Sequence, residues 1–131
     1  MMQGRDTSQR KIIPPRGGLL HIVDAAGYSL AGLRRLWQET ATKLEILGMA
    51  LAAVAFLLRG ADVWHWLVAA GLFALVLAVE ALNTALEVLT DRISPEWSAM
   101  ARDAKDLGSL AVGLMLMVTG GFVLAVTAGM V

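Results

Sequence analysis

Cysteine is absent, so the chain holds no disulfide, no zinc–thiolate centre and no thiol nucleophile. Charge is scarce as well. Only 17% of the 131 residues are charged and the formal net charge is zero, whereas a soluble domain carries about 25% charged residues. A neutral chain offers no bulk field to a polyanion, and no nucleic acid is expected as a partner. No Gly-x-x-x-x-Gly-Lys-Ser/Thr loop occurs, which excludes that route to phosphate binding. The first eighteen residues are polar, basic and proline-bearing, and lack the apolar stretch of a cleaved signal peptide. The length allows one domain, and no internal repeat is visible.

What the chain has instead is apolar length. Hydrophobic residues make up 57% of it and the mean hydropathy is +0.65, values that point to lipid as the solvent. The expected fold is an all-α membrane protein, with an N-terminal amphipathic interfacial helix over about 19–39 and spans over about 41–59, 62–90 and 104–128. Residues Leu107 to Val131 are wholly uncharged, and about 20 apolar residues cross a bilayer core. The second span runs from Val63 toward Val79 and continues helically past Glu80. The first has a shorter apolar run, Ile46–Leu58, and is long enough once Lys43 snorkels outward and Glu45 faces protein. The short link Arg59-Gly60-Ala61-Asp62 makes these two an antiparallel hairpin.

Seven basic residues precede the first span (Arg5, Arg10, Lys11, Arg16, Arg34, Arg35, Lys43) and three lie between the second and third (Arg92, Arg102, Lys105). Only Arg59 lies on the other side, so the N-terminus and second loop are expected in the cytosol. Trp64 and Trp66 then fall at the outer interface, with His65 read as an interfacial residue rather than a ligand. In the first helix Leu19, Ile22, Val23, Ala26, Leu30, Leu33 and Trp37 share one face, while His21, Asp24, Arg35 and Gln38 take the other. Such a helix suits a membrane surface. Residues 1–17, with Pro14 and Pro15, read as a flexible cytoplasmic tail.

The anomaly is the inner end of the second span. Glu80, Asn83, Glu87 and Asp91 fall within a narrow arc of one helix face. Each charge costs about 3 kcal/mol at mid-membrane, so the stripe must be buried against partners, bathed by water or neutralised by a cation. Glu39 and Glu45 lie at the matching end of the first span. Arg102, Asp106 and Ser109 share one side of the third, with Lys105 close by. Carboxylates for a hard cation, a lysine for phosphate and a hydroxyl for orientation suit phosphoryl transfer. Glu80, the deepest acid, is best placed to take a proton from a lipid hydroxyl. The same residues would also serve as a purely structural polar core, with Lys105 or Arg102 neutralising Glu87 or Asp91. Gly108, Gly113, Gly120 and Gly121 read as packing residues.

The stretch from Glu80 to Ile93, followed by Ala104-Lys105-Asp106-Leu107-Gly108-Ser109, resembles the small integral-membrane diacylglycerol kinase family of bacteria, whose relatives include undecaprenol kinases. Ala25-Ala26-Gly27-Tyr28-Ser29, with Gly32-Leu33-Arg34 and Trp37, is similar to its Gram-negative branch, and the likeness covers roughly residues 19 to 126. The resemblance implies an inner-membrane homotrimer with shared active sites that phosphorylates diacylglycerol from ATP with Mg²⁺. It implies Glu80 as general base and Glu39 and Glu87 as metal ligands. It implies an ATP set of His21, Tyr28, Glu39, Glu87, Glu96, Trp97, Ser98, Lys105 and Asp106. For the lipid it implies Ser29, Arg34, Trp37, Glu80 and Ser109, with Asn83, Asp91 and Glu45 as supporting polar groups.

Three positions depart from the family pattern. His21 stands where the branch usually has an arginine. Glu39 follows Trp37 one residue sooner than the pattern has it. The loop reads Ser94-Pro95-Glu96-Trp97. Two other readings stand beside the lead: undecaprenol as the acceptor, and a small non-catalytic membrane scaffold. An ion pathway is disfavoured, because the acids cluster at one end and nothing charged follows Asp106.

Overall fold

The computed structural model describes residues 17–131. The expected tail, with Arg16 in it, lies outside the described residues except for Gly17. The described chain is all helical: α1 (Leu19–Leu36), α2 (Thr40–Arg59), α3 (Val63–Ile93) and α4 (Ala99–Ala128). The last three are long and apolar enough to cross a membrane. The chain divides after Ala31 into two compact units. In the first, Leu20, Ile22, Val23, Tyr28 and Leu30 of α1 are exposed.

In the second unit, helix ends follow from local chemistry. The first helix closes at Leu36, three residues sooner than the apolar pattern suggests. Gln38 N–H donates to Arg35 O and Glu39 N–H to Leu36 O, at 3.1 and 2.9 Å. These tight turns leave Glu39 in extended backbone (φ −76°, ψ 136°) at the N-cap of α2. Helix α2 stops at Gly60, whose φ of +69° is the left-handed conformation glycine adopts without strain. There Ala61 N–H returns to Phe56 O at 3.0 Å and Gly60 N–H to Leu57 O at 3.2 Å. Asp62 opens α3 with a capping box: its side chain takes the His65 N–H, and its own N–H donates to His65 Nδ1 at 3.0 Å. His65 is thus buried and works within the chain, holding the hairpin rather than facing the interface. Helix α4 begins five residues before the expected 104, because Ser98 is a cap: its Oγ accepts from Ala101 N–H at 3.1 Å.

Helix α3 packs most extensively on α4, and α2 touches both. The hydrophobic core lies at the Gly60 end, where Phe56, Ala69 and Val126 meet Ala61, Trp66, Phe73, Phe122 and Val123. Phe56 is 1% exposed, edge-on to Trp66 with ring centroids 5.5 Å apart. Elsewhere large apolar side chains point outward, among them Leu51, Leu67, Leu82, Leu110 and Met117, the surface expected of helices solvated by lipid or by one another. Of the glycines read as packing residues, only Gly108 meets a neighbour; Gly113, Gly120 and Gly121 face open space within the chain.

Phe56→Ala is expected to cost about 3–5 kcal/mol and Gly60→Ala about 1 kcal/mol. Denaturant titration in detergent followed by tryptophan fluorescence measures both, and equal midpoints for wild type and Phe56→Ala would refute the placement of the core.

Candidate active site

The inner half of α3 carries the acids on one face. Glu80, Asn83, Thr84 and Glu87, spaced by three or four residues, line a cavity of about 290 Å³. Glu39 and Ala41 close it from the start of α2, and Ser109 and Val112 from α4. Glu80 is 5% exposed, and Thr84 one turn on is also buried. Asn83 Nδ2 donates to Glu87 Oε1 at 3.2 Å, which turns that carboxylate along the α3 surface. Glu39 leaves its capping role unused and pairs instead with Arg35 one turn back.

One turn further along the α3–α4 seam is a second hollow of about 250 Å³. It is lined by Asp91, Ser94, Pro95, Glu96, Trp97, Ser98, Ala101, Arg102 and Lys105. Lys105 Nζ lies 2.5 Å from Asp91 Oδ1, an ion pair that joins the two helices. The loop is braced by hydroxyls. Ser94 Oγ donates to Glu96 O at 3.1 Å and lies 2.9 Å from Ser98 Oγ. Trp97 is 79% exposed over this hollow. Glu87 and Asp91 are one turn apart on α3, as Lys105 and Ser109 are on α4, so the hollows succeed each other along one seam about 6 Å apart.

Chain folding thus brings together Glu39, Glu80, Asn83, Glu87 and Ser109 in one cavity, and Asp91, Glu96, Trp97, Ser98 and Lys105 in the next. Asp106 is exposed and leans toward Arg102, with Arg102 Nε 4.0 Å from its Oδ2. Glu45 does not line the Glu80 cavity. It lines the adjoining apolar groove between α2 and α4, which shares Ala41 and Val112 with it, and both its carboxylate oxygens are buried without a hydrogen-bond partner. Arg34 and Trp37 are exposed. In the first unit His21, Tyr28 and Ser29 are exposed on α1, with Ser29 Oγ donating to Ala25 O at 3.0 Å. Sequence reasoning passed over Thr84, Ser94 and the Arg35–Glu39 pair. The pair carried a signal, an opposite-charge i,i+4 spacing; the serine bridge needs the loop geometry.

The donor set suits a hard divalent cation in a limited way. Among the described residues no group of three His, Asp or Glu side chains gathers as a closed cage. Three carboxylates, Glu39, Glu80 and Glu87, line the cavity without closing into such a cage, and Mg²⁺ is commonly held by one or two carboxylates with phosphates and water completing its shell. The residues therefore fit a cation that arrives with phosphates.

The family model for prokaryotic diacylglycerol kinase matches residues 27–127. A diacylglycerol kinase of Sinorhizobium sp. is 46% identical over 104 residues, covering 79% of this chain and 75% of the relative. The diacylglycerol kinase of Pseudomonas aeruginosa is 41% identical over 106 residues, 77% of this chain and 83% of its own. That of Escherichia coli K12 is 37% identical over 102 residues, 77% and 84% respectively. With its matched stretch reaching from the middle of α1 almost to the end of α4, the chain belongs to the prokaryotic diacylglycerol kinase family, a family of lipid kinases.

Proposed function

We propose that this enzyme transfers the γ-phosphoryl group of ATP to the primary hydroxyl of diacylglycerol at the cytoplasmic face of the bacterial inner membrane. The observation that carries this reading is the cavity holding Glu39, Glu80, Asn83, Glu87 and Ser109, next to a hollow with Lys105 and an exposed tryptophan. Glu80 is the general base. Buried on α3, it takes the hydroxyl proton as the lipid oxygen forms its bond to phosphorus and the bond to the departing ADP oxygen breaks. Glu39 and Glu87 would hold Mg²⁺, with Asn83 steadying Glu87. The cation, when bound, screens the charge of the transferring phosphoryl group.

The nucleotide takes the second hollow. Lys105 supplies a cation for phosphate, Asp91 keeps it in place beforehand, and Glu96, Trp97, Ser98 and Asp106 surround the rest. By resemblance to the family, His21 and Tyr28 are assigned to the nucleotide, and Ser29, Arg34, Trp37 and Ser109 to the lipid, with Glu45 as a supporting acid. Residues 18–131 act as one membrane domain, α1 lying in the interface and α2, α3 and α4 spanning. Three chains assemble with shared sites, which accounts for the apolar side chains each leaves exposed.

Three outcomes test this reading. In lipid-doped micelles with Mg²⁺, purified protein is expected to phosphorylate diacylglycerol from ATP in preference to undecaprenol; preference for the prenol would move the acceptor assignment. Glu80→Gln is expected to lose at least about 10²-fold in kcat while keeping assembly and nucleotide affinity, whereas a scaffold role predicts no change. Lys105→Met is expected to raise KM for ATP with little change in KM for lipid, and a rise confined to the lipid would place the nucleotide elsewhere.

A further inference from the structure

We propose that Gly108 is a positioning residue for Glu87, acting through Asn83. A carboxylate only accepts hydrogen bonds, so the face of the Asn83 amide turned to Glu87 has to be its NH2 group. The observed bond, Nδ2 to Oε1 at 3.2 Å, has that sense. The carbonyl oxygen is thereby forced the other way, toward α4. Asn83 Oδ1 is buried there without a hydrogen-bond partner. The place it occupies is where any other residue at 108 would carry its Cβ: the added atom would collide with Oδ1 and come within 3.3 Å of Asn83 Cγ.

Glycine at 108 therefore does more than let two helices approach. The missing side chain at 108 is what leaves that oxygen its room against α4. A methyl group would expel the carbonyl. The short asparagine side chain has few other rotamers on a helix, so the NH2 group would leave Glu87 with it. By contrast, the backbone of Asn83 is 3.9 Å from the added Cβ, ordinary contact. The amide, rather than the helix, must move. This inference rests on the proposed assignment of Glu87 to Mg-ATP through the cation for its effect on turnover, but not for the geometry itself.

The test has two arms on the full-length protein in micelles. The first reads the Asn83 side-chain NH2 resonances, identified by their loss in Asn83→Ala. Gly108→Ala is expected to shift them, and so is Glu87→Ala, which removes the acceptor and leaves residue 108 unchanged. Unchanged Asn83 resonances in either variant would overturn the proposal. The second arm is a double-mutant cycle on kcat/KM for Mg-ATP. Gly108→Ala alone is expected to lose about tenfold, and to lose less than about twofold when Asn83 is already alanine. Equal losses in both backgrounds would make Gly108 a packing residue only and overturn it. If wild type phosphorylates no lipid, the proposed function fails while the first arm still decides the geometry.

Discussion

A carboxylate among apolar helices has to meet a polar group, water or a cation, and Glu80 imposes that requirement on this bundle. It sits on α3 one turn beyond Val76, a core residue, and is itself 5% exposed. Leaving such a charge against hydrocarbon costs about 3 kcal/mol even on lenient scales. The elements around it follow from that need. The start of α2 brings Glu39 rather than another leucine, α4 brings Ser109, and the next turn of α3 itself carries Asn83 and Thr84. The outward faces of the same helices carry leucine, valine and methionine instead.

Much of this was legible in the sequence, because the two periodicities involved are strong. Long uncharged runs announce α2, α3 and α4, and the spacing of Glu80, Asn83, Glu87 and Asp91 announces a polar stripe whatever surrounds it. What escaped depended on chain ends and on partners across space. The pattern of Leu30, Leu33 and Trp37 continues past Leu36, but the backbone does not: two tight turns end α1 and put Glu39 outside any helix. Ser98 reads as a loop residue until the α4 amides it caps are in view. His65, between two tryptophans, reads as interfacial because nothing in its spacing distinguishes a lipid-facing ring from one that closes a capping box on Asp62. Gly113 and Gly120 look like Gly108 in sequence, yet only Gly108 has a neighbour against it within the chain. Lys105 had several acids within sequence reach, and only the packing of α3 on α4 selects Asp91.

The length of α3 explains how one element serves substrates from two phases in the arrangement proposed here. At 1.5 Å per residue its 31 residues extend roughly 46 Å, more than a hydrocarbon core of about 30 Å. Glu80 and Asp91 are therefore about 16 Å apart along the axis. On the proposed function, Asp91 and its lysine would stand where a water-borne nucleotide arrives, and Glu80 where a lipid hydroxyl can remain near its own layer. Neither substrate has to leave its solvent completely.

The placement of Phe56, Ala69 and Val126 at the Gly60 end, with the acids at the other, has an evolutionary consequence. With Glu80 in the role proposed for it, substitutions near the hairpin would act on how much protein folds, and those near Glu80 on how fast it works. Distant sites without shared partners combine almost additively. Drift at one end can then be absorbed without retuning the other, which leaves the chemical end free to explore new acceptors while the hairpin end keeps the chain viable.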